Sequence, residues 1–468
     1  MTKSGSLLRW GLVGGVVGAI SLAASASQAQ VNVYNGGGLN LDVGVTASIF
    51  YGQTRNTYFG AGGNFGATSV NGGEADVTWT EGFIEPSAYL TYDSIMGGQV
   101  YANGSMVASA TRGDGDPTGG TDGHPEAFDW ETGYIGWAGS LGDMGVDLSY
   151  GRQDLSIGTE FLIGYGTFVD NDDGAYWLGV RRAFERVGKL SLDNLYVDGL
   201  RTDLIYLESN QTQGDTDMAL INVEYAHDGL GDIGLLYGKI LHSDGAGSGP
   251  ATLTANANSR KELNVLNFRA HGNPIASMMP NWFFAFEYVG QQKDGETGTT
   301  GVADPEVDAE AYYIDIGYNF VDWPWAPAVT ARHINFTGDD PNTAEDEAYD
   351  GLFYGFTNWG TWFIGEVTGE YILFNSNFNV NTLMVQAAPY DNLFLTAAYF
   401  DFNINEPGAG VDDDFGQEVN FIADWAVNDN MAISGVYGVL TPGGNAEATF
   451  GGADDNFHTI HAGAWIWF

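Results

Sequence analysis

Six of the 16 lysine and arginine residues fall between positions 152 and 201, in the same stretch as several carboxylates. Cations and carboxylates that face each other across a narrow aqueous path set up a transverse field, and guanidinium groups also bind planar carboxylates on a solute. This clustering therefore predicts a charged constriction. The cations are Arg152, Arg181, Arg182, Arg186, Lys189 and Arg201, and the carboxylates of the stretch include Asp154 and Glu160.

The segment 154–175 carries several large apolar side chains between its acidic ends, namely Phe161, Leu162, Ile163, Tyr165 and Phe168. A loop that faced only solvent would not need this set. We therefore expect the loop to fold inward and to narrow a pore, with Glu160, Phe161 and Tyr165 at the constriction. An apolar cap over a rim and a surface that contacts a partner are the alternatives.

Other pore candidates follow from the predicted faces of strands. Arg269 shares a face with Asn267 and His271, whereas Arg332 shares a parity with apolar residues and is a weaker candidate. Alternation from Tyr150 places Arg152 outward unless the strand bulges or ends there. Arg186 and Lys189 flank a predicted short turn, where we expect them to be solvated or to face lipid headgroups. The predicted pore set is Arg152, Asp154, Glu160, Phe161, Tyr165, Arg181, Arg182, Arg269, Asp315 and Glu418.

The elements that must position these residues are strands, because period-two alternation runs through segments of about ten residues. In the terminal segment, Ile460, Ala462 and Ala464 lie on one face and Thr459 and His461 on the other. A soluble sandwich alternates in the same way, but aromatic residues at strand ends favour a closed barrel with lipid outside and water inside. We therefore expect an all-β transmembrane antiparallel barrel.

Turn signals give the topology. Short connections are predicted at 94–97, 141–144, 185–188, 227–232, 272–281, 321–327, 389–392 and 427–430. Long polar loops are predicted at 55–77, 113–129, 154–175, 212–216, 244–261, 294–307, 338–375, 406–415 and 441–455. This spacing gives about 18 strands, or about 16 if one hairpin is miscounted, with short periplasmic turns and long extracellular loops.

The first 29 residues read as a secretory signal peptide. Lys3 and Arg9 precede an apolar run, and Ser27-Gln28-Ala29 forms a small-residue cleavage site. A single membrane anchor is the alternative. The predicted domain organisation is a signal peptide at 1–29 followed by an outer-membrane barrel at 30–468, which would contact outer-membrane lipid and lipopolysaccharide.

The charge balance excludes nucleic acid as a partner. The chain has 16 basic and 60 acidic residues, so its formal charge is −44, whereas phosphate binding needs a basic surface. The absence of cysteine excludes thiol chemistry and Cys-ligated zinc. No cofactor is expected apart from a structural Ca²⁺, for which the acidic candidates are Asp170, Asp172 and Asp173, and similarly Asp412–Asp414. A solvated acidic rim is the alternative interpretation.

Two resemblances extend this interpretation. The stretch Gly151-Arg152-Gln153-Asp154 with the following Phe161-Leu162-Ile163-Gly164 is similar to a strand-to-loop motif of the alginate-export family of outer-membrane channels. Later residues that also resemble features of this family are Trp359–Trp362, Glu366, Asn375–Asn377, Glu418-Val419, Asp424-Trp425 and Pro442-Gly443. The resemblance implies a monomeric 18-stranded barrel with an arginine-lined conduit for a polyuronate, in which Arg152 is a member. The strongly acidic composition departs from that expectation.

The C-terminal Trp465, Trp467 and Phe468 resemble the aromatic signal that the barrel assembly machinery reads. Together these features predict a bacterial outer-membrane channel, of porin or exporter type, for passive passage of small hydrophilic or uronate-like solutes. A general diffusion porin with cation preference and a structural or receptor barrel with a plugged lumen are the alternatives. We expect no enzymatic activity, because the sequence lacks Gly-x-Ser-x-Gly and His-Glu-x-x-His motifs.

Overall fold

The computed structural model of the chain describes residues 30–63, 73–118, 124–166, 174–210, 215–227, 231–244, 260–297, 303–304, 306–355, 364–373 and 375–468. The predicted signal peptide (1–29), the calcium candidates Asp170, Asp172 and Asp173, and the Trp359–Trp362 motif lie outside these residues.

Strands make up most of the described chain, because β-branched and aromatic residues alternate with polar ones. In chain order they are β1 (Val31–Gly36), β2 (Leu39–Arg55), β3 (Val77–Ile95), β4 (Gly98–Gly113), β5 (Glu126–Leu141), β6 (Met144–Gln153), β7 (Phe184–Asp193), β8 (Leu200–Glu208), β9 (Asp217–His227), β10 (Gly231–His242), β11 (Asn264–Gly272), β12 (Trp282–Lys293), β13 (Glu296–Thr297), β14 (Ala303–Asp304), β15 (Val307–Asn319), β16 (Ala328–Phe336), β17 (Phe378–Tyr390), β18 (Leu393–Ile404), β19 (Asp414–Asn428), β20 (Met431–Pro442) and β21 (Phe457–Trp467).

The described helical segments are short: a 3₁₀ turn (Thr57–Gly60), a π-helical turn (Gly365–Gly369) and α1 (Gly444–Thr449). No helix in these parts of the chain is long and apolar enough to cross a membrane.

The sheet closes on itself. The strands β2–β12 and β15–β21 pair antiparallel, each with the next, and β21 pairs with β2 from Trp467 opposite Thr46 to His458 opposite Arg55. Eleven strands in the first run and seven in the second make a barrel of 18 within the described chain. This confirms the predicted all-β barrel and its higher strand count. The strands β13 and β14 form a separate small hairpin in the loop between β12 and β15.

The extra strand β1 was not predicted. It pairs with the beginning of β2, from Val31 opposite Val43 to Gly36 opposite Leu39. On the same edge of β2, Phe468 and Val45 exchange two backbone hydrogen bonds of 3.0 Å. The sequence of β1 has no apolar face to detect, because almost all of its side chains are exposed.

Short and long connections alternate around the barrel, so all long loops lie at one end and both described termini lie at the short-turn end. One predicted turn is wrong: residues 185–188 lie within β7, and the chain turns at 194–199 instead. Asn194 and Gly199 adopt positive φ there (58° and 82°), and the Gly199 N–H donates to the Asn194 side chain.

The outer face is apolar and the inner face polar. On β19, the outward Phe421 and Trp425 are 54% and 45% exposed, whereas the inward Glu418, Asn420 and Asp424 are at most 1% exposed. An apolar exterior with a polar interior suits a barrel that has lipid outside and water inside. Exposed aromatics such as Trp323 and Trp325, in the turn between β15 and β16, suit the membrane interface.

Candidate channel constriction

The connection between β6 and β7, described at 154–166 and 174–183, crosses the lumen and is called loop A below. On the far wall, the Phe161 ring contacts Tyr313 of β15 and Phe336 of β16, with centroid distances of 5.3 and 5.6 Å. The Thr159 hydroxyl donates to Glu287 of β12 at 2.8 Å. Six strands separate β6 from β15 in one direction and ten in the other, so loop A reaches nearly the opposite side of the barrel.

A second inward connection, between β16 and β17 and described at 337–355, 364–373 and 375–377, meets loop A and is called loop B. The Phe353 N–H donates to the Leu162 carbonyl at 3.1 Å, and the Phe353 carbonyl accepts from Gly164 and Tyr165 at 2.7 and 2.9 Å. Ile163 and Phe353 form a parallel bridge, and both are fully buried. The two loops are therefore joined by backbone hydrogen bonds inside the barrel.

The inward position of loop B was not predicted from the sequence. A detectable signal was present, since its large apolar side chains repeat the pattern that singled out loop A. These are Tyr349, Leu352, Phe353, Tyr354, Ile364, Val367, Tyr371, Ile372 and Leu373, all less than 9% exposed.

Two of the predicted pore carboxylates fix these loops. The Glu418 carboxylate accepts from the Val367 and Thr368 N–H groups, both at 2.8 Å, and so holds the π-helical turn of loop B against β19. The Glu160 carboxylate accepts from the Ser156 hydroxyl, and the Glu160 carbonyl accepts from the Gly355 N–H of loop B at 2.8 Å. Neither residue lines the lumen cavity described next.

A polar cavity of about 680 Å³ extends from loop A toward the short-turn end near Gln30 and Trp465. Most of its acidic groups come from β3–β6, whereas two of its cations come from β7 and β8. The charged lining consists of Glu85, Glu131, Asp147, Asp154, Asp193, Arg182, Lys189 and Arg201, with Tyr89, Tyr101, Tyr134 and Tyr165 between them.

Arg182 and Asp154 carry the charge of loop A into this cavity. The Arg182 Nε lies 3.8 Å from the Asp154 carboxylate. Burial opposes the charge of Arg182, but Asp154 and then Tyr165, Glu160 and Glu131 outweigh it and raise the Arg182 pKa above its usual value. The Arg182 and Ala183 N–H groups both donate to Glu131 of β5 at 2.9 Å, which positions the guanidinium.

Lys189 and Arg201 also line the cavity. The expectation that Lys189 flanks a turn and faces solvent or headgroups is wrong, because Lys189 lies in the middle of β7 with its side chain inward. Arg201 donates to Asp203 and to the Ser191 hydroxyl, both at 3.1 Å. Lys189 has no ion-pair partner within the described chain and is therefore the cation best placed to meet a solute.

Arg152 is on the other side of the wall. It shares the outward parity of Leu148 and Tyr150, donates to the Glu131 carbonyl at 2.8 Å and pairs with Glu185 at 2.7 Å. A bulge does occur beside it, between Gly151 and Gln153 in the pairing with β7, but the extra residue belongs to β7. It is Gln153, not Arg152, that lines the cavity. The structure thus contradicts the placement of Arg152 in the pore lining.

The remaining predicted residues face inward, but they form hydrogen bonds or ion pairs with side chains of the barrel wall. Arg269 donates to Asn267 and Asn222 at 2.9 and 2.6 Å and pairs with Glu224. Arg181 donates to Ser109 at 2.7 Å. Arg332, discounted from its parity, is inward and forms a two-bond pair with Asp315 at 2.7 and 2.8 Å.

The acidic segment Asp412–Asp414, the second calcium candidate, lies at the end of the loop between β18 and β19, and Asp414 is the first residue of β19. Its Asp412 carboxylate accepts from the Asp414 N–H at 3.3 Å. A calcium site there stays a prediction.

This closed 18-strand antiparallel barrel, apolar outside and polar inside with loops folded into its lumen, has the fold of bacterial outer-membrane porins. It is similar to the solved structure of Pseudomonas aeruginosa OpdK, with a TM-score of 0.56 and 10% identity over 92% of this chain and 98% of that chain. A BenF-like porin from Pseudomonas fluorescens gives the same four values.

A third similar structure is Pseudomonas aeruginosa OccK2 (OpdF) in complex with glucuronate, with a TM-score of 0.53 and 10% identity over 94% of this chain and 99% of that chain. At these identities the similarity establishes the fold. No protein-family profile matches the chain, and no curated protein sequence matches it either.

Proposed function

We propose that this protein is a channel of the bacterial outer membrane that passes small hydrophilic solutes passively. The observation that carries the proposal is the pairing of loop A with the polar cavity beneath it, since a loop that spans a wet lumen limits what can pass. The apolar exterior and the porin fold support a location in the outer membrane, with the short turns in the periplasm and lipopolysaccharide around the loop end.

Small solutes with a carboxylate, such as uronates, are the substrate class we favour. Arg182 of loop A, Lys189 of β7 and Arg201 of β8 offer charge-assisted donors, and four tyrosines of the same cavity offer rings and hydroxyls. The glucuronate complex of OccK2 and the resemblance to the alginate-export family point to the same chemistry. The arginine-lined conduit that the resemblance implies would run through Arg182 and Arg201, since Arg152 is outward.

A plugged barrel is the second candidate, and one observation favours it. Loops A and B bury a cluster of aromatic and aliphatic side chains inside the barrel, including Phe161, Ile163, Phe353 and Tyr371 at no more than 2% exposure. A general diffusion porin with cation preference is the third, because carboxylates outnumber cations around the cavity.

Reversal potential and conductance of the purified barrel in asymmetric salt distinguish the three. The proposal expects a small conductance that sodium glucuronate reduces by occupying the cavity. A general porin would give a large conductance that glucuronate leaves unchanged, and a plugged barrel would give none. Lys189→Gln should weaken the glucuronate block, while Arg186→Gln is the matched control, because Arg186 faces outward and pairs with Glu208.

A further inference from the structure

Three buried side chains converge where loop B meets the barrel wall. Glu366 lies in the π-helical turn, Glu370 directly follows it, and His461 projects inward from β21. One ligand atom from each lies within 4.8 Å of the others. The residues are 4%, 6% and 5% exposed, so the group is shielded from bulk water. Irregular π-type turns occur frequently at functional sites.

One oxygen in this group lacks a partner. Glu370 Oε2 is buried and makes no hydrogen bond with the described residues, and His461 Nε2 lies 3.5 Å away from it. A buried carboxylate oxygen without a partner is costly, because desolvation removes its hydration and nothing replaces it.

Neighbouring groups add negative rather than positive charge. Glu370 interacts with Glu366 and with Glu418, and the Tyr371 and His461 side chains also lie beside it. Two adjacent buried carboxylates repel each other unless a cation or a shared proton lies between them. The arrangement therefore has the geometry and the charge of a cation site.

We propose that Glu366, Glu370 and His461 form a binding site for a divalent metal ion of the Zn²⁺ class. Zn²⁺ binds histidine nitrogen and carboxylate oxygen at about 2.0–2.2 Å, which places such ligand atoms within the observed separation of one another. The imidazole disfavours Ca²⁺ and Mg²⁺, which take oxygen ligands. The Tyr371 hydroxyl, 2.7 Å from His461 Nε2, lies beside the ligands.

Such an ion would link loop B to the barrel wall and so hold the constriction in place. Glu366 and Glu370 belong to loop B, His461 belongs to the wall, and Trp177 of loop A stacks on Tyr371 next to the site. Binding would therefore restrict the movement of both inward loops relative to β21. The site does not depend on the channel proposal, since metal binding is measured whether or not the barrel conducts.

The test is Zn²⁺ titration of chelator-stripped, refolded full-length barrel by calorimetry, with Co²⁺ absorption as a second measurement. The wild type should bind one ion tightly, and Co²⁺ should give visible bands from nitrogen and oxygen ligands. Glu370→Gln and His461→Asn should each lower the affinity by roughly tenfold or more. Glu406→Gln, in the exposed loop between β18 and β19, is the matched control and should bind as the wild type does.

Heat-modifiable gel mobility establishes that each variant is folded, and Glu366→Gln replaces any variant that is not. A folded wild type without tight Zn²⁺ binding, a wild type without Co²⁺ bands, or a folded Glu370→Gln variant with wild-type affinity would each overturn the proposal. In the first two cases the carboxylates would instead share a proton.

Discussion

Trp177 of loop A stacks on Tyr371 of loop B, with ring centroids 5.0 Å apart and an interplanar angle of 27°. The contact joins two connections that leave the barrel from different walls, since loop A follows β6 and loop B follows β16. It lies beside Trp79 of β3, whose ring is 6.1 Å from that of Trp177. The two loops and the wall thus form one aromatic assembly.

Loss of this stack should loosen the constriction without unfolding the barrel. An aromatic pair contributes about 0.5–1.5 kcal/mol beyond its buried area, which is small beside the energy of 18 paired strands. We expect Trp177→Ala to give a larger and noisier single-channel conductance. Trp323→Ala, in the exposed turn between β15 and β16, is the control and should leave conductance unchanged. Identical recordings from both variants would show that the stack does not restrain the loops.

Gly158 at the tip of loop A should not tolerate a side chain. Its φ is 59°, and an added Cβ would lie 2.6 Å from the Arg269 side chain. Gly142, in the turn between β5 and β6, has a similar φ of 66° but nothing within 4 Å. Both alanine variants incur a backbone penalty of about 1–2 kcal/mol, and only Gly158→Ala adds a steric clash.

We therefore expect Gly158→Ala to alter conductance and Gly142→Ala to affect only thermal stability. Planar-bilayer recordings and melting curves of the two refolded variants provide the comparison. Equal effects of the two substitutions on conductance would argue against a close approach of the loop tip to Arg269.

Phe468 should matter more for assembly than for stability. Its backbone closes the barrel against Val45, but its ring is 59% exposed, so Phe468→Asp removes at most about 2–3 kcal/mol of apolar burial. The resemblance to an assembly signal predicts a much larger loss of outer-membrane yield. Fractionation of cells that express Phe468→Asp and Phe468→Tyr compares a charged with an aromatic terminus. A normal membrane yield for the aspartate variant would contradict this role.

Alternation was sufficient to predict the barrel. Lipid outside and water inside impose opposite demands on successive residues, so pairs such as Leu148 outward and Ser149 inward are visible in the sequence. The side chains of the exposed strand β1 do not alternate between lipid and the lumen, so its sequence lacks the alternation of apolar and polar residues that predicts a strand. The turn after β7 was predicted too early, because the polar residues Glu185 and Arg186 resemble a turn. They lie instead at the loop end of β7 and form ion pairs on the outer face of the barrel.

The candidate site was harder to predict, because its chemistry depends on contacts between distant segments. Apolar composition indicates that loop A is unusual, but it does not indicate which wall the loop reaches. The motif around Arg152 suggested a pore residue, whereas simple alternation from Tyr150 gave the correct outward face. The meeting of Glu370 with His461, 91 positions apart, has no local signature at all.

Loop A, by this proposal, constricts a conducting lumen. The direct measurement is the single-channel conductance of the wild type and of a variant in which a short Gly-Ser linker replaces residues 158–165. Shortening the exposed loop between β18 and β19 at residues 408–410 is the control. We predict that the wild type conducts, that the loop A variant conducts about twofold more or better, and that the control matches the wild type. If the wild type and the loop A variant have the same conductance, or if neither conducts, the claim is contradicted.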